Sequence, residues 1–355
     1  MTTTYLRPLG LAWGSDASLA VREGRAGRLA GGNAAFTSAE LIWRDGRHIE
    51  RTHQPYADLV RSSEAAVRRR LGALEAPRAA IAGLAMDAPQ VMGIINVTPD
   101  SFSDGGETPD RSSAVALGRR LAEAGAAILD VGGESTRPGS EGVPEDVERS
   151  RVVPVIEALS GLGHKVSIDT RKPAIMEAAT GAGAVMINDV SALRFDEGSR
   201  AAVARLKRPT VLMHAQGDPK TMQVNPTYDD VVLDVFDFLE AAVEEAVGAG
   251  LPRGLALVDP GIGFGKTFRQ NLDVLGSLAI YHGLGVPLVV GASRKAFIGA
   301  LTGHKTAKDR VSGSLAVAVA AVAQGAQILR VHDVRETLEA VKVWRAIMDP
   351  ENSGI

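Results

Sequence analysis

From Val91 to the C-terminus, short apolar runs alternate with longer amphipathic stretches. The runs Val91–Ile95, Ala127–Val131, Val166–Ile168, Ala184–Ile187, Thr210–Met213, Ala256–Val258, Leu288–Val290 and Ile328–Val331 have the length and branched content of buried strands. Between them, Ser112–Ala124, Pro144–Leu159, Pro173–Thr180, Gly198–Leu206, Asp229–Val247, Phe268–Leu278, Arg310–Ala323 and Val334–Ile347 carry helical periodicity. Gly125, Gly181, Gly248 and Gly325 stand where helices should stop, as left-handed C-caps. Eight strand–helix units over about 260 residues predict an α/β fold, a closed (β/α)8 barrel. An open doubly wound sheet is the alternative, and the absence of a dinucleotide fingerprint speaks against it.

Residues 1–89 follow another pattern. Phe36–Trp43, Asp45-Gly46 and His48–Thr52 predict a hairpin with a turn dipeptide. Tyr56–Leu74 predicts a helix, stopped at Ala76-Pro77-Arg78. The expected organisation is a small α+β extension over 1–89 and a barrel over 90–355. The extension holds no cluster of reactive groups, which suits a structural or interaction role, and its partner is open.

Composition narrows the chemistry. The net charge of -3 gives no basic face for nucleic acid. The chain has no cysteine, so disulfides, thiolate metal sites and cysteine nucleophiles are excluded. The N-terminal MTTTYLRPLG lacks the basic and apolar regions of a signal peptide. The longest apolar run, Leu315–Ala323, is far shorter than the roughly 20 residues that span a bilayer. A cytoplasmic protein without membrane or nucleic-acid partners is the expectation.

In a barrel enzyme the chemistry sits at the C-terminal strand ends. Here those positions are Asn96, Asp130, Asp169, Asn188, His214, Asp259, Ser293 with Lys295, and Arg330 with His332. Asp169, Asn188, Asp259 and Lys295 suit a flat heterocycle with an amidine-like edge, because a carboxylate accepts two parallel hydrogen bonds from such an edge. An internal salt-bridge network among them is the alternative. Arg330 and His332, two apart on one strand face, suit a phosphate or diphosphate together with Asn96. Asn96 could give a neutral oxygen to Mg²⁺. Met213 reads as pocket wall or core. His214 is either a ligand contact or a satisfied structural group. The Gly132–Gly139 loop and the loop after Asn96 could close over a substrate as a two-part lid. Gly261–Thr267 fails as a P-loop, since three residues rather than four precede Gly265-Lys266-Thr267. No G-x-S-x-G or H-E-x-x-H motif is present.

The ordered stretches VMGIINVTPDSFSDGG, ILDVGGESTRPGS, SIDTRKP, MINDVSA, LMHAQGDPKTMQ, DPGIGFGKT, GASRKAFIG and RVHDV resemble the signatures of the dihydropteroate synthase family, from about Val91 to about Trp344. The resemblance implies condensation of a dihydropterin methyl diphosphate with 4-aminobenzoate, assisted by Mg²⁺, in a homodimer. It implies that Asp169, Asn188, Met213, Asp259, Phe264 and Lys295 hold the pterin. Asn96, Thr136, Arg137, Arg330 and His332 would hold the diphosphate, with Asn96 on the metal. Phe102, Pro138, Phe264, Ser293 and Lys295 would line the 4-aminobenzoate pocket. Asp104, Arg137, Lys295, Arg330 and His332 would carry the catalysis, Asp104 by stabilising the reacting cation. Two rivals remain at this level. A pterin-dependent methyltransferase would need no diphosphate cradle, and a pterin-binding barrel without activity should have lost part of one.

Overall fold

A computed structural model of the chain describes residues 2–98, 111–135, 140, 142–217, 222 and 224–352. The first strand, β1 (Thr3–Ala12), is followed by helix α1 (Gly14–Arg22), β2 (Gly27–Arg28), β3 (Ala35–Asp45) and β4 (His48–Pro55). β3 is the centre of an antiparallel sheet, with β1 on one edge and β2 and β4 on the other. The predicted hairpin is β3–β4, turned at Gly46, whose φ of 60° is the left-handed value a two-residue loop needs. β1 was not foreseen. Pro8 and Gly10 interrupt its pattern, and both are tolerated because β1 is an edge strand.

The single helix expected over 56–74 is two, α2 (Tyr56–Arg61) and α3 (Ala65–Glu75). Ser62 leaves the helical region at ψ 130°, and its Oγ accepts the Glu64 N–H at 3.2 Å. Serine competes for the backbone in this way and breaks a helix that the apolar spacing would continue.

Eight parallel strands follow: β5 (Gln90–Asn96), β6 (Ile128–Gly132), β7 (Val166–Asp169), β8 (Met186–Asp189), β9 (Thr210–Met213), β10 (Ala256–Asp259), β11 (Val289–Val290) and β12 (Ile328–Val331). Each pairs with its neighbour in sequence through β10, and β12 returns to β5. A bridge between Val258 and Leu288, with the Val258 N–H donating to Pro287 at 3.0 Å, joins β10 to the start of β11 and closes the barrel. The surrounding helices are α4 (Arg111–Glu123), α5 (Glu145–Gly161), α6 (Pro173–Gly181), α7 (Ser199–Leu206), α8 (Val231–Gly248), α9 (Phe268–Leu275), α10 (Ala296–Thr302), α11 (Val311–Ala323) and α12 (Val334–Met348). The short α10 is additional to the expected set.

The four helices expected to stop at a glycine end in one way. Ala126, Ala184, Leu251 and Ala326 bond back to the carbonyls of Leu121, Ala179, Ala246 and Ala321, five residues earlier. The left-handed residues are Gly125, Gly183, Gly250 and Gly325. In the two Gly-Ala-Gly sequences the second glycine makes the turn, so Gly181 and Gly248 close the helix instead of capping it. The following residue then leads toward the next strand.

Period-two alternation separates two cores. Val91, Leu129, Ile168, Ile187, Leu212, Val258, Val290 and Leu329 face the helices. Met92, Ile128, Met186, Val211, Leu257, Val289 and Ile328 fill the barrel floor. A small reversal, with Ile81 and Leu84 exchanging both backbone bonds, seats Ile81 and Met86 beneath that floor as a plug.

The extension is joined to the barrel by more than apolar contact. The buried Tyr5 donates to Asp237 on α8 at 2.8 Å and meets Phe236 edge-on. Arg70, 4% exposed, bonds Glu240 at 2.9 Å and the Thr4 carbonyl at 2.9 Å. Trp13 stands edge-on to Trp344 at 4.8 Å. Among the described residues, no helix is long and apolar enough to cross a membrane.

Two stability predictions follow from this seam. Arg70→Ala removes the side-chain bond to the Thr4 carbonyl and the partner of Glu240, so urea unfolding should show a loss of about 3 kcal/mol. His282 is buried against Gln324, its Nε2–H donating to that carbonyl at 2.9 Å, and burial, with Arg78 nearby, lowers its pKa to about 3. The unfolded chain takes up this proton near 6.5, so between those values it holds more protons than the fold. Stability from this group is complete above about 6.5 and is lost as pH falls toward 3. Between pH 7.5 and 5 the wild type should therefore lose on the order of 2 kcal/mol more than His282→Gln. Parallel pH dependence in the two proteins would refute this.

Candidate active site

The inward alternation that makes the apolar floor continues upward into a polar layer. Two residues past Ile128 stands Asp130; past Met186, Asn188; past Leu257, Asp259; past Ile328, Arg330. Asp169 ends β7 in register with Gly132 and Asn188. The strands therefore carry these side chains to one end of the barrel by their pleat alone.

Arg330 is the hub. Its Nε donates to Asp130 Oδ2 at 2.6 Å and its Nη2 to Asp169 Oδ2 at 2.6 Å. Asn188 Nδ2 donates to the same Asp130 oxygen at 3.1 Å. A salt-bridge network is present, but it runs through Arg330 and Asp130 rather than among the four residues for which one was weighed, and it takes in Asp169 and Asn188, expected at the pterin, and Arg330, expected at the diphosphate. Burial pushes Asp169 up to about 7, against the pull of Arg330 and with the push of Asp130. The two carboxylates hold Arg330 charged despite its desolvation. Asp130 Oδ1 and Ser167 Oγ are buried and have no hydrogen-bond partner among the described residues. Unmatched buried acceptors beside carboxylates favour a ligand edge rich in N–H donors.

Asp259 lies beside this hub. Its Oδ1 accepts the Gly261 N–H at 2.7 Å, and burial raises its pKa. Gly291 leaves space here: a Cβ would lie 3.4 Å from Asp259 Oδ2 and 3.8 Å from the Arg330 side chain. Met213, buried, is in register with Asp259. Lys295 caps α10, with its ammonium 4.2 Å from the centre of the Phe264 ring. Ser293 Oγ lies 3.1 Å from His332 Nδ1 and accepts the His332 backbone N–H at 3.3 Å. His332 is held neutral, its pKa lowered to about 3 by burial and by Arg294 and Arg330. In the free protein it offers hydrogen bonds and no charge. Asn96, half-buried, stands in register with Gly132.

Asp104, Phe102, Thr136, Arg137 and Pro138 lie outside the described residues. At the root of the second expected loop, Glu134 is held by Arg171 and by Lys172, each at 2.5 Å. Three groups of consequence were missed in the site reading. Asp130, noted only as a strand end, is central, and its place two residues past Ile128 was the available signal. Lys266, set aside with the failed P-loop, is buried and bonds His214 Nδ1 at 2.8 Å. Asp189, next to Asn188, points the other way and holds the turn at Ser191–Leu193 through backbone N–H groups at 2.7 and 3.0 Å.

Residues 92–332 match the family described as pterin binding enzyme. The dihydropteroate synthase of Neisseria meningitidis serogroup B is 47% identical over 270 residues, which cover 74% of this chain and 94% of that protein. The Xanthomonas albilineans dihydropteroate synthase solved with 4-aminobenzoic acid is 50% identical, with a TM-score of 0.71 over 75% of this chain and 96% of that one. The same organism's enzyme in complex with 7,8-dihydropteroate is 48% identical, with a TM-score of 0.68 over 74% of this chain and 95% of that one. With a family match over more than half its length and relatives covered almost end to end, this chain belongs to the pterin-binding enzyme family.

Proposed function

We propose that this chain is a dihydropteroate synthase. It joins (7,8-dihydropterin-6-yl)methyl diphosphate to 4-aminobenzoate and releases 7,8-dihydropteroate and diphosphate, a step of folate synthesis. The observation that carries this reading is the acceptor-lined layer of Asp130, Asp169, Asn188 and Asp259 above an apolar barrel floor, with Arg330 as its counter-charge. The family membership and the likeness to synthases at 47–50% identity support it.

In this reading Asp169, Asn188 and Asp259 receive the N–H edge of the pterin, with Met213, Phe264 and Lys295 against its ring. Asn96, Thr136, Arg137, Arg330 and His332 receive the diphosphate. Phe102, Pro138, Phe264, Ser293 and Lys295 bound the 4-aminobenzoate. The methylene C–O bond breaks and its electron pair leaves with the diphosphate. The arylamine lone pair then forms the C–N bond to the methylene carbon, and the ammonium proton passes to solvent or to the departing diphosphate. Asp104 and the buried carboxylates favour the cation between these events. Water must be kept out, since it would capture the same carbon. An arylamine is already unprotonated at neutral pH, so no strong general base is required.

Mg²⁺ is proposed as the metal. Among the described residues no group of three His, Asp or Glu side chains could cage an ion. Asn96 fits an ion that keeps waters and substrate oxygens and takes only one or two protein oxygens. When bound it would offset charge on the leaving diphosphate. A homodimer and a cytoplasmic location are proposed on the family resemblance.

Mixing the protein with the dihydropterin methyl diphosphate, 4-aminobenzoate and Mg²⁺ should give dihydropteroate. No product at high enzyme concentration would overturn the reading. A methyltransferase would instead consume a methylated folate in the parallel assay. Asp259→Asn should weaken pterin binding by about 2–5 kcal/mol by calorimetry, the range for truncating one side of a buried charged hydrogen bond. Unchanged affinity would remove Asp259 from the pterin site.

A further inference from the structure

Lys266 has no part in the chemistry above, yet it is 1% exposed and lies directly behind the site. An ammonium group has three protons to place. Here the acceptors are His214 Nδ1 at 2.8 Å, the Gly261 carbonyl at 2.9 Å and the Phe264 carbonyl at 3.2 Å. Two of the three are the ends of one turn, Gly261–Phe264. That turn follows β10 and carries Phe264 beneath Lys295.

We propose that Lys266 is a positioning residue, which holds the Gly261–Phe264 turn and through it the Asp259 carboxylate and the Phe264 ring in the geometry that receives the pterin. The proposal rests on the synthase reading. Gly261 is the link. Its N–H donates to Asp259 Oδ1 at 2.7 Å while its carbonyl accepts from Lys266. No other residue serves there: φ is +66°, and a Cβ would stand 1.8 Å from the His214 carbonyl oxygen. Gly263 is tied at the same time, its N–H donating to Asn271 Oδ1 at 2.6 Å, and Tyr228 donates to the Gly265 carbonyl at 2.5 Å. Asn271 and Tyr228 hold the loop at Gly263 and Gly265; among the described residues, Lys266 is the side chain that reaches both ends of the turn.

Charge works here against burial, which lowers the Lys266 pKa to about 7. Burial disfavours the ionised forms of both Lys266 and Asp259, and each favours the charged form of the other. His214 stays a neutral acceptor, kept so by burial and by the lysine beside it. Its ring packs edge-on against Phe238 at 4.7 Å. Lys266 therefore touches no substrate and acts through Gly261 and Phe264.

The test is a double-mutant cycle with full-length protein, Lys266→Met against Asp259→Asn. Lys266→Met keeps the apolar stem and removes the donors. We expect KM and Kd for the dihydropterin methyl diphosphate to rise at least tenfold while kcat changes less than threefold. In the Asp259→Asn background the same substitution should cost less than threefold in affinity. Equal losses in both backgrounds, or unchanged pterin affinity, would overturn the proposal. Lys266→Gln, which keeps a donor, serves for the same cycle should the methionine variant not be recovered folded. In the wild type, the ¹⁵Nζ resonance of Lys266 should shift on saturation with the pterin substrate, and an unmoved resonance would overturn the proposal without any variant. Wild-type turnover in the same assay separates the two levels: an inactive wild type removes both readings, and an active wild type without coupling removes only the role of Lys266.

Discussion

A single guanidinium makes the rest of this site possible. Asp130 and Asp169 are both buried within the barrel, and two carboxylates so placed repel each other and lose their hydration. Arg330 answers both with one planar fork, at 2.6 Å to each. Lysine could not do this, since its point charge lacks two donors in fixed directions. Burial still pushes Asp169 up to about 7 against the pull of Arg330, and Asp130 Oδ1 has no partner among the described residues. The cavity is thus stable enough to exist and unsatisfied enough to prefer a ligand. A polar layer resting on an apolar floor is the physical form of that compromise.

The barrel was legible in the chain because its strands are short, apolar and closed by polar residues. All eight were located to within two residues, because buried parallel strands leave a nearly continuous apolar signature. The polar mouth was legible for the same reason: Asp130, Asn188, Asp259 and Arg330 each follow the floor residue by two positions, and the pleat does the rest. What the sequence concealed was pairing. Arg330 reads as an anion-binding side chain, and only the closed barrel brings it between two aspartates that lie 200 and 161 positions away. Lys266 was concealed by its neighbours, because Gly-Lys-Thr suggests phosphate and its three acceptors are two backbone carbonyls and a distant histidine.

The extension was less legible because its signals are short-range and conflicting. The hairpin was marked by Asp45-Gly46, a local device that needs no tertiary help. β1 was not, since Pro8 and Gly10 make sense only on an edge whose single partner is known. The break in α2–α3 depends on one serine hydroxyl reaching the backbone, and apolar spacing carries no record of it. His282 and Tyr5 illustrate the same limit. Each is an ordinary residue in sequence and becomes buried only where the extension meets the barrel.

The seam also ties the extension to the barrel that carries the site. Ile81 and Met86 shut the N-terminal end of the barrel, and Arg70, Tyr5 and Trp13 fasten the sheet above to α8, α11 and α12. None of these contacts is made by Asp169, Asp259 or Arg330, and the same sheet reaches the first turn of α8, where Arg44 pairs with Asp234 and Arg51 with Asp230. This has a specific consequence. The unpaired acceptors and raised carboxylates at the mouth reduce stability, and the Arg70–Glu240 ion pair and the aromatic contacts of Tyr5 and Trp13 offset that loss through other residues. The extension therefore belongs to the energetics of the barrel, although none of its described residues bonds to Asp130, Asp169, Asn188, Asp259 or Arg330.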